Sequence, residues 1–319
     1  LRAIRITEFG GPEVLELVDD QPEPQAGPGT TVLDVRRAGL NYADTHQVEN
    51  SYLAPAELPM VPGAEAVGMT PDGLRVVALL GGGGYAEKVA AADAFSFEVP
   101  DDVDDGQALA LVLQGLTAWH LLRTSAKLAD GESVVVHAAA GGVGTLAVQL
   151  AKVFGAGRVI AVASTEEKRQ LAVDLGADAT VDAAEPDLTS ALHDANGGRK
   201  VDVVLEMVGG RTTDQSLAAL APFGRLAFFG MASRTAPSKV DLGELMGRSR
   251  GVIGFWLAHC MADPARYLDG PMQELLELTA AGALRPVVGA TYGLSEAATA
   301  HRDLRERRSI GKLLLDPAG

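Results

Sequence analysis

Residues 134–144 read Val-Val-Val-His-Ala-Ala-Ala-Gly-Gly-Val-Gly. An apolar strand runs into a turn of small residues, and a helical pattern over 143–154 follows at once. No other feature narrows the possible folds so far, because strands joined in this way to helices build parallel sheets. Ala139, Gly141 and Gly144 hold the positions of a G-x-G-x-x-G spacing, with Ala at the first. The spacing has a physical use. Backbone free of side chains lets a pyrophosphate approach the N–H groups that open the helix, where the dipole favours an anion. Glycine turns between strand and helix are common, so the motif gains its weight from context. Apolar strands at Arg158–Ala163, 179–181, Val201–Glu206 and 225–229 follow, with helical patterns such as 166–175 between them. The piece 251–255 is a candidate edge strand. A second glycine run, 81–84, leads into Tyr85-Ala86-Glu87 and reads as a flexible hairpin connection.

The first hundred residues have another style. Short strands at 14–18, 31–35, Arg75–Leu79 and 85–89 are separated by Pro- and Gly-rich pieces, which predicts a partly open β-barrel. Two domains are therefore expected: 1–112 with 257–319, and 113–256. The last sixty residues should return to the first domain with one helix over 265–281 and a strand over 312–315. At 319 residues, about three quarters of the chain's surface can be buried. The formal net charge is −15, which disfavours nucleic acid and anionic membrane surfaces as partners. The single cysteine, Cys260, leaves no internal disulfide and no Cys-rich zinc lobe, and fits a reducing compartment. Residues 1–6 alternate like a strand and no long apolar run follows, so a cytoplasmic location is expected.

The tip of the second parallel strand should meet the ribose of a bound dinucleotide. An NAD enzyme places a carboxylate there. Here the strand ends in Ala163-Ser164-Thr165, and Lys168 and Arg169 follow within a helical turn. Hydroxyls and cations suit a 2′-phosphate, so NADPH is the expected cofactor. The alternative is a plain helix start, with Ser164 and Glu167 as a capping box and Lys168 as a solvated surface residue.

Two further pieces, Ala38-Gly39-Leu40-Asn41-Tyr42-Ala43-Asp44 and Val61-Pro62-Gly63-Ala64-Glu65-Ala66-Val67-Gly68, complete a specific pattern. With the glycine loop and Gln114-Gly115-Leu116-Thr117-Ala118, the chain resembles the medium-chain dehydrogenase/reductase superfamily. Within it the likeness is to the zinc-independent quinone oxidoreductase branch that includes zeta-crystallin, and it runs from Arg2 to Leu315. It implies an α/β fold, a Rossmann doubly wound parallel sheet inserted in a GroES-like β-barrel domain, with a cleft for nicotinamide and substrate. Zinc-dependent relatives carry Cys and His where this chain has Asn41 and Ala64, so no metal is expected.

The resemblance also implies site residues. Asn41 and Thr117 would lie beside the nicotinamide, and Ala140, Gly141, Gly142 and Val143 at the pyrophosphate. Ser164 and Lys168 would hold the 2′-phosphate, and Val208-Gly209 would flank the adenine side. Phe229, Gly230 and Met231, with Gly311 and Lys312, would complete the nicotinamide end. Tyr42 and Tyr52 would line the substrate side, Tyr52 with a catalytic part; a packed loop anchor is the other reading of Tyr52. Three departures stand out. Val181-Asp182-Ala183 replaces a usual Asn-Tyr pair, so Asp182 adds a repulsive charge near the phosphate. The hairpin between Gly68 and Arg75 is short, with Leu74 in place of Asp. Glu206 replaces Asp. His137 ends the first parallel strand and reads as structural.

The expectation is thus an NADPH-dependent, metal-free quinone oxidoreductase acting on a small-molecule quinone. An enoyl or alkenal reductase is the runner-up, and a nucleotide-binding protein with little turnover is the rival from another class. The apolar piece 251–255 at a sheet edge predicts a homodimer.

Overall fold

The computed structural model describes residues 1–319, which divide into two compact units, Leu1–Gln114 with Cys260–Gly319, and Gly115–His259.

The second unit is a six-stranded parallel sheet. Its strands lie in the order Ala179–Asp182, Arg158–Ala163, Ser133–His137, Val201–Glu206, Leu220–Phe228 and Gly251–Gly254. Counted along the chain this is 3-2-1-4-5-6, the doubly wound order that places ligands at the carboxyl ends of its strands. The continuous apolar runs are explained by burial on both faces: Val135, Ile160, Val162, Val204 and Leu226 form one core cluster with Leu188 and Leu192 of a flanking helix. The expected strand 225–229 begins earlier, at Leu220. Only Val201 and Val203 face Leu220 and Arg225, so a bulge absorbs Pro222, Phe223 and Gly224.

The first unit holds a seven-stranded sheet ordered Val288–Gly293, Lys312–Asp316, Thr30–Leu40, Glu65–Met69, Arg75–Leu79 and Ser96–Glu98, with Lys88–Ala92 also on Thr30–Leu40. The long strand Thr30–Leu40 changes register between Val35 and Arg37. Its first half pairs with Lys88–Ala92 and its second half with Lys312–Asp316, so the sheet curls toward a barrel. Residues 81–84 are not a loose hairpin, because Gly83, Gly84 and Tyr85 donate to Val61, Gly63 and Pro62 carbonyls. Three other expectations need correction. The strand expected over 85–89 lies at Lys88–Ala92. Residues 12–14 form a 3-10 turn opened by Pro12, leaving Glu16–Val18 as the strand. The expected helix over 265–281 is two helices, Pro264–Tyr267 and Asp269–Ala280. Pro271 has no N–H for the carbonyl of Tyr267, and its ring opposes continuation there.

Candidate active site

The cofactor cradle grows out of the strand Ser133–His137. Ala138 takes a left-handed φ of 49°, and Gly141 N–H donates to its carbonyl at 2.8 Å, closing the turn. A Cβ on Gly144 would stand 2.2 Å from Ala138 O, so only glycine lets the helix approach the turn this closely. Gly141 is the N-cap of the helix Gly142–Val153, and no side chain caps it. The first-turn N–H groups of a twelve-residue helix thus open onto Ala140, Gly141, Gly142 and Val143. That donor set fits a dinucleotide pyrophosphate. His137 lies behind the turn, buried, with Nε2 at 2.9 Å from Ser216 Oγ. Burial pushes its pKa down to about 4, so it is neutral and structural.

A second support has a role that the sequence did not disclose. Glu206 is fully buried at the end of its strand, and its carboxylate accepts from Val208 N–H at 2.5 Å, Gly209 N–H at 3.3 Å and the Thr213 hydroxyl. It builds the Val208–Gly209 turn. Phe229 N–H and Ala232 N–H donate to the carbonyls of Glu206 and Met207. The structure therefore brings Val208 and Gly209 alongside Phe229, Gly230 and Met231. Thr117 is buried in the short helix Leu116–His120, which has π-helical turns on both sides.

At the tip of Arg158–Ala163, Ser164 is exposed and Thr165, not Ser164, caps the next helix by accepting from Lys168 N–H at 3.3 Å. Lys168 follows on the same turn. Arg169 sits deeper: it donates to Ala163 O at 3.2 Å, to Glu166 at 2.9 Å, and pairs with Asp182 at 3.0 Å. The charge of Asp182 is thus compensated, which corrects the expectation that it stands as a bare repulsive group.

In the first unit the polar side chains converge on Asn41. It is buried, at the N-cap of the helix Tyr42–Val48, and its backbone N–H donates to Asp44 Oδ2 at 2.8 Å. Asn41 Nδ2 donates to Glu65 Oε1 at 2.6 Å, and Asn41 Oδ1 accepts from Gln114 Nε2 at 3.0 Å and Lys312 Nζ at 3.1 Å. Lys312 also donates to Leu40 O at 3.2 Å and forms an ion pair with Glu65. Both side chains of that pair are fully buried. The sheet explains the meeting. Lys312–Asp316 and Glu65–Met69 flank Thr30–Leu40 on opposite sides, and a Cβ on Gly39 between them would stand 2.3 Å from Glu65 Oε1 and 2.6 Å from Lys312 Cε. Gly39 in the Ala38-Gly39-Leu40-Asn41 motif is therefore the room for the ion pair.

Below Asn41, Tyr85 OH donates to Asp44 Oδ2 at 2.8 Å and meets His301 Nε2 at 3.2 Å. The hydroxyl proton is committed to Asp44, so His301 donates from Nε2. Burial raises Asp44 to about 6 and lowers His301 to about 4. Tyr42 opens the helix after Asn41, edge-on to His46 with ring centroids 5.5 Å apart, and Tyr52 is half-buried in the irregular segment after that helix. Gln114 and Glu65 are site residues to which sequence reasoning gave no role, although both lie in motifs that it quoted. For Glu65 the signal was the lone charge of an apolar strand, and for Lys312 a cation opening a run of three leucines.

No three His, Cys, Asp or Glu side chains are grouped so as to hold a metal ion. The donors at Asn41 are amide, ammonium and one carboxylate, a poor set for tetrahedral zinc. The sheet order and the open helix cradle mark the second unit as a dinucleotide-binding domain. The model of the family described as zinc-binding dehydrogenase matches residues 142–280. The quinone oxidoreductase of Pseudomonas aeruginosa is 35% identical over 327 residues, covering 99% of each chain. Among solved structures, Escherichia coli quinone oxidoreductase complexed with NADPH superposes with a TM-score of 0.91 at 32% identity, covering 99% of this chain and 100% of that one. The Thermus thermophilus quinone oxidoreductase, also solved with NADPH, gives 0.85 at 36% identity over 99% and 100%. The chain belongs to the zinc-independent quinone oxidoreductase family of the medium-chain dehydrogenases/reductases.

Proposed function

We propose that this chain reduces quinones with a hydride from NADPH and without a metal. The observation that carries the reading is the uncapped start of Gly142–Val153 behind the Gly141 turn, in a chain whose relatives are quinone oxidoreductases solved with NADPH. NADPH supplies the hydride and the redox chemistry. The backbone of Gly141, Gly142 and Val143 holds the pyrophosphate, with Ala140 lining it. Val208 and Gly209 border the adenine side. Ser164 and Lys168 receive the 2′-phosphate. Asn41 and Thr117 orient the nicotinamide and so select the hydride face, with Phe229, Gly230 and Gly311 closing that end. Tyr42 and Tyr52 line the acceptor side, and a tyrosine hydroxyl or water delivers the proton. A quinone needs no Lewis acid, because its reduction gives an aromatic ring, whereas an isolated carbonyl needs polarisation.

The outer edge of Gly251–Gly254 has no partner strand within the chain. A second copy pairing there across a twofold axis would complete its ladder. We therefore read the protein as a homodimer, and light scattering that finds only a 33.1 kDa species overturns this. No helix is long and apolar enough to cross a membrane. The acidic composition and the lone, buried Cys260 favour the cytoplasm.

The test is the loss of NADPH absorbance with an ortho-quinone, a para-quinone and an acyclic enone in parallel. Quinone turnover is expected. Turnover of the enone alone would replace the reading with an enone reductase, and no turnover with any acceptor would leave a nucleotide-binding protein.

A further inference from the structure

Asn41 lies between partners of fixed character. An ammonium only donates, and Lys312 Nζ faces Asn41 Oδ1. Glu65 Oε1 accepts from Asn41 Nδ2 and from Lys312. Burial raises the carboxyl of Glu65 and the Lys312 ammonium opposes that rise. Oε1 accepts in either state, because the oxygen left for a proton is Oε2, which has no partner within the chain. Oε1 is an acceptor throughout. Gln114 is itself an amide that can turn either way, and it follows by donating to Asn41 Oδ1 at 3.0 Å.

A carboxamide among indifferent amides has two nearly equivalent orientations, since its O and NH2 ends are alike in shape. Between an obligate donor and an obligate acceptor it has one. Asn41 Oδ1 is filled by two donors, and Nδ2 keeps one hydrogen beyond the bond to Glu65. A buried ion pair is a weak stabiliser, because desolvation of both charges offsets their attraction. The room that Gly39 leaves for this one is better explained by what the pair does to its neighbour.

We propose that the Glu65–Lys312 pair locks the Asn41 carboxamide as a hydrogen-bond donor, so that Asn41 engages the carbonyl oxygen of the nicotinamide carboxamide and not its NH2 group. The inference rests on the reading that Asn41 meets the nicotinamide. Lys312 is then a positioning residue whose ammonium is turned inward, toward Asn41, Glu65 and Leu40 O. Glu65 has the same role from the other side.

The test uses calorimetric binding of NADPH and of its reduced 3-acetylpyridine analogue, which keeps the carbonyl and replaces NH2 by methyl. Turnover is measured in parallel. Asn41→Ala should weaken both ligands by the same factor, about fivefold for one neutral hydrogen bond. The charge-free pair Glu65→Gln with Lys312→Met should weaken NADPH by up to that factor and add nothing in the Asn41→Ala background. A purely structural pair would instead give losses that add. If the loss at Asn41→Ala vanishes with the acetylpyridine analogue, Asn41 accepts from NH2 and the lock is refuted. If the pair variant is folded and binds as wild type does while Asn41→Ala does not, the pair is not the lock. If Asn41→Ala changes neither binding nor turnover, the reading of Asn41 itself fails, and the proposal with it. Should the pair variant not fold, selective amide labelling of wild-type protein decides. One downfield, exchange-protected Asn41 Nδ2 proton is expected, and two rapidly exchanging ones overturn the lock.

Discussion

Arg169 Nη1 and Asp182 Oδ2 lie 3.0 Å apart, joining the start of the second flanking helix to the end of the neighbouring strand. The guanidinium is largely buried and also engages Glu166 and Ala163 O. A cation at the tip of Arg158–Ala163 is where a 2′-phosphate is expected, and two carboxylates already share it. Asp182 therefore competes with the phosphate for Arg169 rather than repelling it unopposed. Asp182→Asn should tighten NADPH binding about threefold to tenfold and leave NADH almost unchanged, since charge-assisted bonds are the strong ones. Lys168→Ala should weaken NADPH alone. Fluorescence titrations with both cofactors check this, and equal effects on NADPH and NADH would reduce these residues to helix surface.

The tip also shows what a sequence does and does not disclose. The strands Arg158–Ala163 and Val201–Glu206 were legible to the residue, because each is a mainly apolar run followed by turn residues. The cradle was legible because its chemistry is local: Gly141 and Gly144 act within one turn. Pairings between distant residues were not. Arg169 and Asp182 are 13 positions apart on different elements, and Glu65 and Lys312 are 247 apart. Strand register brings them together, and composition carries no trace of register. The bulge at Pro222–Gly224 was hidden for the same reason: it exists only relative to Val201 and Val203.

Metal removal is the next prediction. Asn41 occupies a position where zinc-dependent relatives place Cys, and its carboxamide oxygen is filled by Lys312 and Gln114 while Nδ2 donates to Glu65. Prolonged chelation should leave quinone reduction unchanged, and elemental analysis should find well under one zinc per chain. Stoichiometric zinc whose removal abolishes activity would overturn the assignment of roles at Asn41.

Two buried groups give opposite pH signatures. Burial lowers His137 from 6.5 to about 4, so the folded state binds fewer protons than the unfolded one in between. Its contribution is complete above pH 6.5 and is lost as the pH falls toward 4, by about 3 kcal/mol. Burial raises Asp44 from 3.8 to about 6, so its contribution is complete below pH 3.8 and is lost as the pH rises to about 6, again by about 3 kcal/mol. Urea unfolding across pH 4 to 7 should therefore separate them. Relative to His137→Gln, wild type gains stability as the pH rises through this window. Relative to Asp44→Asn, it loses stability through the same window. Parallel curves for wild type and either variant would show that the group titrates normally.

Gly39→Ala gives the sharpest steric prediction. The added Cβ meets Glu65 Oε1 at 2.3 Å and Lys312 Cε at 2.6 Å, both in fully buried side chains. Overpacking of this kind costs about 1–3 kcal/mol, and displacing an ion pair from its partners adds to it. The melting temperature should fall by several degrees. Because the clash falls on Glu65 and Lys312, the damage should reach Asn41, so kcat/KM for quinone reduction should drop in the molecules that remain folded. Gly73→Ala is the control. Gly73 stands in an exposed turn with nothing near its Cβ direction, but its φ of 87° disfavours a side chain, so it should lose stability without losing kcat/KM. Equal kcat/KM for the two folded variants would mean that the space at Gly39 serves stability alone.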